Sequence, residues 1–493
     1  MTPSPRFDYG ASVVPSQSRL VLIGLDAADR GFIARLPGLM PNVSRILADG
    51  DVGDLAAEAL PGAVWPSFCT GSRPPDHGIY HHMQWDPGRM SIRRMTGDWL
   101  PSRPFWRDLG ERGVRVTAFD VPFVFPGPSR DVLEVMNWGT HDNIADYWAN
   151  EEAIGSRIRR EFGLSPMGFE ITVDKTRAQL DGYRDGMIAG ATAKGRLATW
   201  LMRERPWDVF IAAFGETHRG GHTLWPYADA GENDPTPPRA LEQVYRAVDD
   251  AVGAIVREAG EEADVVLFAL HGMGPNSSQS HLTSTFMRRA VARFNGEPLP
   301  ADAGDVPGIF RTLRRVLPGQ LQLAVAHAVP RSVRDRVVAR EIGGGYVWRE
   351  TLGFCMHGDL AGYLRLNLAG RERDGILTDE RAAALRTFLR SELEALTIDG
   401  GRSPVHRVSF PAQDWAGARS HLLPDVLVEW DPDLSPVDAI HSPTLGTIRT
   451  RMATGRGGNH LFNGFYAHRG PRQGRAPGPR HIAEVGAYAA ALT

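Results

Sequence analysis

Five side chains that can bind a transition metal lie just after predicted strands or in one late loop of this sequence: Asp26, His218, His222, His271 and His460. Imidazole nitrogens and carboxylate oxygens are ligands that zinc, iron and manganese accept in proteins. A single histidine is more often an ordinary polar side chain than a ligand. Because the carboxyl ends of parallel strands meet at one edge of a sheet, however, these residues together predict a metal site.

The elements that would position these residues read as strands alternating with helices. Apolar runs with the length and composition of buried strands occur at 20–23, 115–121, 132–136, 208–212 and 264–270. Asp26 follows the first run, although it could equally cap the next helix. His218 and His222 share one side if their segment is helical, whereas Gly220 and Gly221 make a loop an equal alternative. Alternating strands and helices predict an α/β fold with a mostly parallel sheet.

The positions of proline and glycine suggest boundaries between segments in the rest of the chain. Residues 1–17 are expected to form a flexible tail, and 18–284 an α/β core. Three short helical patterns between 285 and 345 predict an inserted helical cap. Residues 346–493 are expected to complete the core and to contain a small second sheet region, with strands at 362–368 and 405–410. One more apolar strand is expected at 425–430.

Composition excludes several classes of protein. With 493 residues, 42% of them hydrophobic, the chain can build a large core, and its net charge of -3 gives no electrostatic footprint for nucleic acid or an anionic membrane. No run reaches the length of a membrane span, and the start lacks a signal-peptide pattern, so a cytoplasmic location and a small-molecule substrate are expected. Cys69 and Cys355 cannot form a disulfide framework, and both thiols are expected to be free. The oligomeric state stays open.

Six segments resemble the alkaline phosphatase superfamily, specifically its branch of type I phosphodiesterases and nucleotide pyrophosphatases. Five of them follow one another in the family's order, LIGLDAAD, WPSFCTGSRPPDHGIY, GETHRGGH, HGMGPN and GGNHLFNGFYAHRGP, and the sixth is YLRLNLAGRERDGIL at 363–377. The resemblance spans roughly 20–471. It implies a doubly wound, mostly parallel sheet between helices, with two metal ions at the carboxyl ends of the strands.

The metal ligands implied by the resemblance are unevenly divided. Asp26 and His271 match one site, which lacks a further carboxylate because Leu270 stands in its place. His222 and His460 match the other site, where His218 replaces the usual aspartate and leaves three ligands. We therefore expect one firmly bound divalent transition metal and an uncertain second ion. Zinc is the first expectation, with iron or manganese as alternatives.

The nucleophile of the family is missing. Counted back along the WPSFCTG segment, the position of the family's threonine or serine is Pro61, with Gly62 beside it. Ser67, Cys69 and Thr70 lie further along the segment and are expected to cap or pack. Metal-activated water is therefore the expected nucleophile, because a bound zinc ion can bring the pKa of its water to about 7.

Four further residues are candidates for the site. Glu216 could orient water or a ligand imidazole, or could equally be a salt-bridge partner. Trp65, Asn137 and His141 lie on loops or turns at the predicted edge and could contact a substrate, although Trp65 could equally be core.

Three functions remain open. The first is a metal-dependent hydrolase acting on a phosphoester or similar ester. The second is a superfamily member repurposed for non-phosphoryl chemistry, such as a lyase, a cyclase or C–N or C–O bond cleavage on a specialised metabolite. The third is a degenerate binding protein, against which the retained histidines argue.

Overall fold

The structure is a computed structural model, and only part of the chain is described. The described residues are 19–35, 38–140, 145–167, 176–225, 236–237, 239–300, 333, 346–356, 358, 360–450 and 456–493. The predicted tail and most of the predicted cap therefore lie outside the described residues. None of the helices in the described ranges combines the length and the hydropathy that crossing a bilayer requires.

The strands are short and mostly buried. They are β1 (Leu20–Leu25), β2 (Asp51–Leu55), β3 (Met83–Asp86), β4 (Ser91–Arg94), β5 (Val116–Phe119), β6 (Val132–Met136), β7 (Trp148–Ala149), β8 (Val209–Phe214), β9 (Asp264–Ala269), β10 (Gly272–Pro275), β11 (Gly353–Cys355), β12 (Gly362–Leu366), β13 (Val405–Ser409), β14 (Val426–Trp430), β15 (Ala439–Ser442), β16 (Gly446–Arg449), β17 (Gly458–Leu461) and β18 (Gly464–Arg469).

The helices range from one turn to 28 residues. They are α1 (Arg30–Arg35), α2 (Pro41–Asp49), α3 (Val64–Thr70), α4 (Pro74–His77), α5 (Phe105–Glu111), α6 (Glu152–Glu161), α7 (Arg177–Glu204), α8 (Glu216–Leu224), α9 (Ala240–Ala259), α10 (Ser280–Phe294), α11 (Asp379–Glu394), α12 (Pro411–Asp414) and α13 (Val485–Ala491), with short 3-10 helices at Pro61–Ala63, Gly97–Trp99, Ser420–Leu422 and Ile482–Glu484.

Two compact units form. The first contains the described residues of Met1–Arg73, Thr96–Pro275 and Gly455–Thr493, and the second those of Pro74–Met95 and Asn276–Thr454. Each unit has its own hydrophobic core. All five predicted metal-site residues belong to the first unit.

The first unit is built on an eight-stranded sheet in the order β2-β18-β9-β1-β8-β5-β6-β7. The inner strands β9, β1, β8, β5 and β6 pair in parallel, whereas β2, β18 and β7 run antiparallel to their neighbours. Every residue of β1, β8 and β9 is buried. Continuous apolar runs are typical of parallel strands covered on both faces, and the mostly parallel sheet predicted from the sequence is confirmed.

Helices cover both faces of this sheet. On one face Ile23 of β1 joins the core formed with α2, α7 and α9. On the other face Phe68 of α3 stacks on Phe268 of β9, with ring centroids 4.9 Å apart, and also contacts Phe105 of α5. Such two-sided packing makes the sheet doubly wound, as the resemblance implied.

The second unit contains a four-stranded antiparallel sheet in the order β11-β12-β14-β13. The strands β12 and β13 fall where the sequence predicts a small second sheet region, and β14 coincides with the further strand expected at 425–430. No strand is predicted from the sequence at β11. The helices α10 and α11 contribute Phe286 and Leu385 to the core of the unit. Two antiparallel pairs, β3 with β4 and β15 with β16, complete the unit as described.

The free thiols of Cys69 and Cys355 confirm the expectation from the sequence.

Candidate metal centre

Four elements bring the predicted metal-site residues together in the first unit. Asp26 follows β1, His218 and His222 lie on α8, His271 follows β9, and His460 lies on β17. All five are at least nine-tenths buried. The strands β8, β1 and β9 are parallel neighbours, so their carboxyl ends deliver α8, Asp26 and His271 to the same edge of the sheet.

The segment of His218 and His222 is helical, which decides between the two alternatives left open by its glycines. Glycine is required here for packing. A Cβ on Gly221 would approach Met273 Cγ to 2.6 Å, and a Cβ on Gly458 would approach the Gly221 carbonyl oxygen to 2.3 Å. The small residues let α8 lie directly against β10 and β17, while both imidazoles stay on one side of the helix.

His460 lies in a strand, so the sequence-based assignment of a loop at this residue is wrong. β17 pairs with β10 in an antiparallel two-stranded sheet, with His460 opposite Met273. Its four residues are too few to show a strand period, and their pairing partner is almost 190 positions earlier, so local sequence gives no signal for it. The pairing fixes the backbone that carries this imidazole.

The imidazole nitrogens converge at close range. His222 Nε2 lies 3.1 Å from His218 Nε2 and 3.2 Å from His460 Nε2. Three ligands at about 2.0 to 2.1 Å from one tetrahedral zinc ion would be separated by roughly 3.3 Å. The spacing of these nitrogens therefore suits a single transition-metal ion.

A hydrogen bond on the far side of the ring fixes the tautomer of His222. His222 Nδ1 lies 2.9 Å from the carbonyl oxygen of Gly458, which can only accept, so the neutral imidazole carries its proton on Nδ1. Its Nε2 lone pair then points toward His218 Nε2 and His460 Nε2, an arrangement that a cation between the three nitrogens would stabilise. His218 Nδ1 lies 3.1 Å from Asp26 Oδ2.

His271 completes a group of four imidazoles. Ligand atoms of His218, His271 and His460 all lie within 4.8 Å of one another, and the rings of His271 and His460 have centroids 4.4 Å apart. Burial and the neighbouring imidazoles of His271, His222 and His218 hold the pKa of His460 well below its usual range. A neutral, buried imidazole is the form that binds a metal ion, so the donor set fits the metal that the resemblance implies.

The backbone around Asp26 is held firmly. Its amide donates to the Phe214 carbonyl of β8, and its own carbonyl accepts a 2.6 Å hydrogen bond from the Thr217 hydroxyl. The next residue, Ala27, has φ of +55°, a left-handed conformation that few non-glycine residues adopt. Because β1, β8 and α8 are joined through these contacts, the carboxylate and His218 have a fixed relative position.

The segment that carries the nucleophile in the family has proline and glycine at that position in this chain. Pro61 and Gly62 form part of a 3-10 helix immediately before α3. The Thr70 hydroxyl donates to the Pro66 carbonyl at 2.7 Å, and burial raises the pKa of the Cys69 thiol well above its usual range. Ser67 is fully buried in α3.

Glu216, the candidate acid at the start of α8, has a buried lysine as its ion-pair partner. Glu216 Oε1 lies 3.4 Å from the ammonium nitrogen of Lys194, which also lies 2.9 Å from Asp120 Oδ2. All three side chains are fully buried. Burial raises the pKa of Glu216, while Lys194 partly offsets this effect. The described contacts are those of a residue that fixes the first turn of α8.

The three candidate substrate contacts have different positions. Trp65 is 2% exposed, and its indole nitrogen donates to Asp26 Oδ1 at 3.0 Å. Asn137, at the end of β6, has φ of +57° and donates to the Asp146 carbonyl at 3.4 Å. His141 lies outside the described residues. Of the two residues that the structure describes, Trp65 contacts a residue of the candidate metal centre.

Lys194 and Asp120 were missed by sequence-based reasoning. A composition signal was present for Lys194, because it is one of only two lysines among 55 basic residues in this chain. A chain that otherwise uses arginine retains lysine at a fully buried position, where its compact ammonium reaches two carboxylates and the carbonyls of Gly139 and Ala213.

Comparisons with known proteins identify a sequence family. Residues 20–455 match the family model for type I phosphodiesterase / nucleotide pyrophosphatase. A search of curated proteins gave no match. Among solved structures, the chain is similar to phosphonoacetate hydrolase from Sinorhizobium meliloti 1021 in complex with phosphonoformate, with 14% identity over 96% of this chain and 95% of that chain and a TM-score of 0.49.

Ectonucleotide pyrophosphatase / phosphodiesterase 5 is a second similar structure. The murine protein is 11% identical over 96% of this chain and 95% of that chain, with a TM-score of 0.49. The human protein is 12% identical over 96% and 94%, with a TM-score of 0.47. At these identities no substrate can be transferred to this chain, and the family model alone supports the assignment.

Proposed function

This chain belongs to the type I phosphodiesterase / nucleotide pyrophosphatase family, and from that premise we propose that it is a metal-dependent hydrolase of phosphoesters or similar esters. The proposed centre holds one transition-metal ion, with His218, His222 and His460 as ligands. Water, and not a side chain, is the proposed nucleophile. The active centre is proposed to lie at the carboxyl ends of β1, β8 and β9.

One observation carries the proposal. The Nε2 atoms of the two α8 histidines face each other at 3.1 Å while His222 Nδ1 contacts the Gly458 carbonyl oxygen. His222 Nε2 has two close neighbours, Nε2 of His218 and Nε2 of His460, and a single proton can form a hydrogen bond in only one of these two contacts. A cation serves all three nitrogens at once, and imidazole is a preferred ligand of zinc and its neighbours.

Different residues of the chain would bind the ion and orient its ligands in such a centre. The three imidazoles bind the ion, and the Gly458 carbonyl orients the ring of His222. Burial of the whole group excludes bulk water and strengthens the electrostatic interactions at the centre. A divalent ion bound here would lower the pKa of water toward neutrality and polarise an ester oxygen.

Single displacement follows from the segment before α3. Pro61 and Gly62 have no side-chain oxygen, and the Thr70 hydroxyl is bound to its own helix. Hydrolysis that passes through a covalent intermediate needs a nucleophilic side chain. We therefore infer one in-line attack by water, with inversion at phosphorus, and poor turnover of generic aryl phosphates that depend on two ions and a nucleophile.

A repurposed, non-phosphoryl reaction at the same ion is the second candidate. The absent nucleophile favours it, because lyases and cyclases need no covalent enzyme intermediate. Both candidates require the metal, so metal content cannot separate them. The products of turnover can.

The test combines metal analysis with a substrate panel. Purified protein would be stripped with chelator, reloaded with zinc, iron or manganese, and assayed on phosphodiesters, nucleotides, phosphonates and carboxyl esters in ¹⁸O-labelled water. We expect close to one metal ion per chain and metal-dependent hydrolysis that places one ¹⁸O in the product from the first turnover.

Two matched variants complete the design. His222→Ala should lose both metal and activity, whereas His441→Ala, a histidine of the second unit bound to Thr447 and Asp399, should keep both. Wild-type protein without bound metal, or a phosphorylated side chain found by mass spectrometry, would contradict the proposal. Metal-dependent turnover without ¹⁸O incorporation would favour the second candidate.

A further inference from the structure

We propose that Lys194 is a positioning residue for the metal centre. Its buried ammonium holds the first turn of α8 at the carboxyl edge of the sheet through the carboxylate of Glu216, and so fixes where His218 and His222 present their imidazoles. This inference rests on the proposed function, because it assumes that both histidines of α8 bind the ion.

The helix that carries the two histidines is weak by its own sequence. α8 has nine residues, and its interior includes Gly220 and Gly221. Its N-cap is Gly215, which provides no side-chain cap. Isolated helices shorter than about 12 residues are marginal in water, and interior glycines weaken a helix further. The position of α8 therefore depends on contacts with the rest of the first unit.

Two polar contacts anchor the first turn of α8. The Thr217 hydroxyl donates a 2.6 Å hydrogen bond to the Asp26 carbonyl. Glu216, the first residue of the helix, forms an ion pair with Lys194 of α7, with 3.4 Å between Oε1 and the ammonium nitrogen. Gly190 lies one turn before this lysine, and a Cβ there would be 3.4 Å from the same Glu216 oxygen. The carboxylate of Glu216 therefore lies against one face of α7.

The ammonium of Lys194 is held independently of α8. It donates hydrogen bonds of 3.2 Å to the carbonyl oxygens of Gly139 and Ala213, and it lies 2.9 Å from Asp120 Oδ2. Ala213 belongs to β8, Asp120 follows β5, and Gly139 lies in the segment after β6. These three strands are neighbours in the sheet. Lys194 therefore joins α8 to the carboxyl edge of the sheet.

Burial makes the effect of removing this ammonium specific. Lys194, Asp120 and Glu216 are all fully buried, and a buried charged group is costly unless it keeps a polar or charged partner. The Asp120 carboxylate also accepts the backbone amides of Trp138 and Gly139, so it keeps donors without the lysine. Glu216 would lose its described ion-pair partner. Removal of the ammonium therefore acts chiefly on the start of α8.

The experiment compares metal binding with stability. Wild type, Lys194→Met, Glu216→Gln and the double variant would be assayed for zinc affinity by competition with a chromophoric chelator, for Co²⁺ absorption, and for urea unfolding of the metal-free protein. The visible spectrum of bound Co²⁺ reports the geometry of its ligands. Arg107→Met is the matched control, because it breaks another buried ion pair of the first unit, the 2.8 Å contact of Arg107 with Glu134.

We expect Lys194→Met to weaken zinc binding by about 10- to 100-fold, the usual cost of losing a partner outside the ligand shell. Its Co²⁺ bands should shift, because the imidazoles of α8 change position. Glu216→Gln should change both measurements in the same direction. The double variant should bind zinc no more weakly than Lys194→Met, because the ammonium acts through Glu216. Arg107→Met should lose stability as Lys194→Met does and bind zinc as wild type does.

Two results would overturn the inference while leaving the proposed function in place. The first is a wild-type zinc affinity and Co²⁺ spectrum in Lys194→Met. The second is an equal loss of zinc affinity in Arg107→Met, which would make the effect a general consequence of lower stability. If Lys194→Met does not fold, the same two measurements on Glu216→Gln decide the question. Wild-type protein that binds neither ion would overturn both proposals together.

Discussion

Two buried groups of titratable side chains lie at opposite ends of strand β9. One surrounds Asp264 at its first residue, the other includes His271 just beyond its last residue, and the two groups differ in their hydrogen-bond partners. At the amino end, Asp264 Oδ1 lies 2.8 Å from His468 Nε2, and the Arg472 guanidinium lies 2.7 Å from Oδ2. The other nitrogen of His468 contacts the Tyr488 hydroxyl at 2.6 Å. Every partner in this amino-end network belongs to the protein.

At the carboxyl end, imidazoles face imidazoles. The contacts between His222 Nε2 and its two neighbours join ring nitrogens, and the Gly458 carbonyl at His222 Nδ1 leaves Nε2 of this neutral ring without a proton. Buried polar groups are stable when each donor meets an acceptor. The amino-end network meets that condition by itself and holds the fold together. The carboxyl-end group meets it when a cation is shared, which is why we assign function to that end.

The largest effect should come from removing the central imidazole. His222→Ala should lower bound metal from about one ion to less than about 0.1 per chain, and activity by roughly 10³-fold or more, because water then loses its activation. Elemental analysis and turnover on the best substrate measure both. Full metal occupancy in this variant would contradict the proposal that the group at the carboxyl end of β9 binds the ion through His222.

The next effect should fall on stability and leave the metal in place. His468→Ala removes one partner of the amino-end network and strands the buried Asp264 carboxylate and Tyr488 hydroxyl, which should cost about 3 kcal/mol of unfolding free energy. Urea unfolding followed by fluorescence measures the loss. Metal content should stay near wild type under native conditions, and its loss there would show that the two ends are not independent.

A smaller effect should appear in acid. Burial alone would raise the pKa of Asp264, but hydrogen bonds from His468 and Arg472 outweigh it and leave this pKa below its usual range. The ionised carboxylate therefore stabilises the fold above its unfolded-state pKa near 4, and this contribution is lost as the pH falls through the lower folded-state value. The Asp264→Asn variant should therefore lose less unfolding free energy than wild type does when the pH is lowered from 5 to 2.

The control for that prediction is the pH-7 value. Asp264→Asn should be less stable than wild type at neutral pH, and the two urea midpoints should approach each other as the pH falls. Parallel curves across the whole range would show that the amino-end carboxylate does not carry the acid sensitivity.

The smallest effect is expected from the hydroxyls of α3. Ser67→Ala and Thr70→Val should keep most of the native activity, because neither side chain is proposed to attack the substrate. Thr70→Val should lose about 1 kcal/mol of stability with its hydrogen bond to Pro66. Rapid hydrolysis of an aryl phosphate that disappears in Ser67→Ala would instead place a nucleophile on this helix.

The strands of the parallel sheet were the most predictable part of the molecule. The run at 132–136 coincides with β6, and that at 264–270 covers β9, because a strand buried on both faces is a continuous apolar run that local sequence displays. The convergence of Asp26, His218 and His271 was also predictable, since parallel strands end at one edge.

Other parts of the site depend on contacts that local sequence does not display. His222 and His460 are 238 residues apart, and β17 becomes a strand only by pairing with β10. The Trp65–Asp26 hydrogen bond joins two segments 39 residues apart and depends on the space that Gly24 leaves. Close approach of this kind is a property of tertiary packing. From the sequence alone, Trp65 could therefore be assigned only to the core or to a substrate contact.

The placement of β18 sets the order in which the molecule can be completed during synthesis. This strand lies between β2 and β9, and it follows directly on the strand that carries His460. A nascent chain that has not yet delivered residues 458–469 leaves the edges of β2 and β9 unpaired, and unpaired strand edges promote aggregation. His460, the last of the proposed metal ligands, leaves the ribosome together with the strand that closes this gap. A chain that ends before these residues would lack both the proposed ligand and the pairing strand.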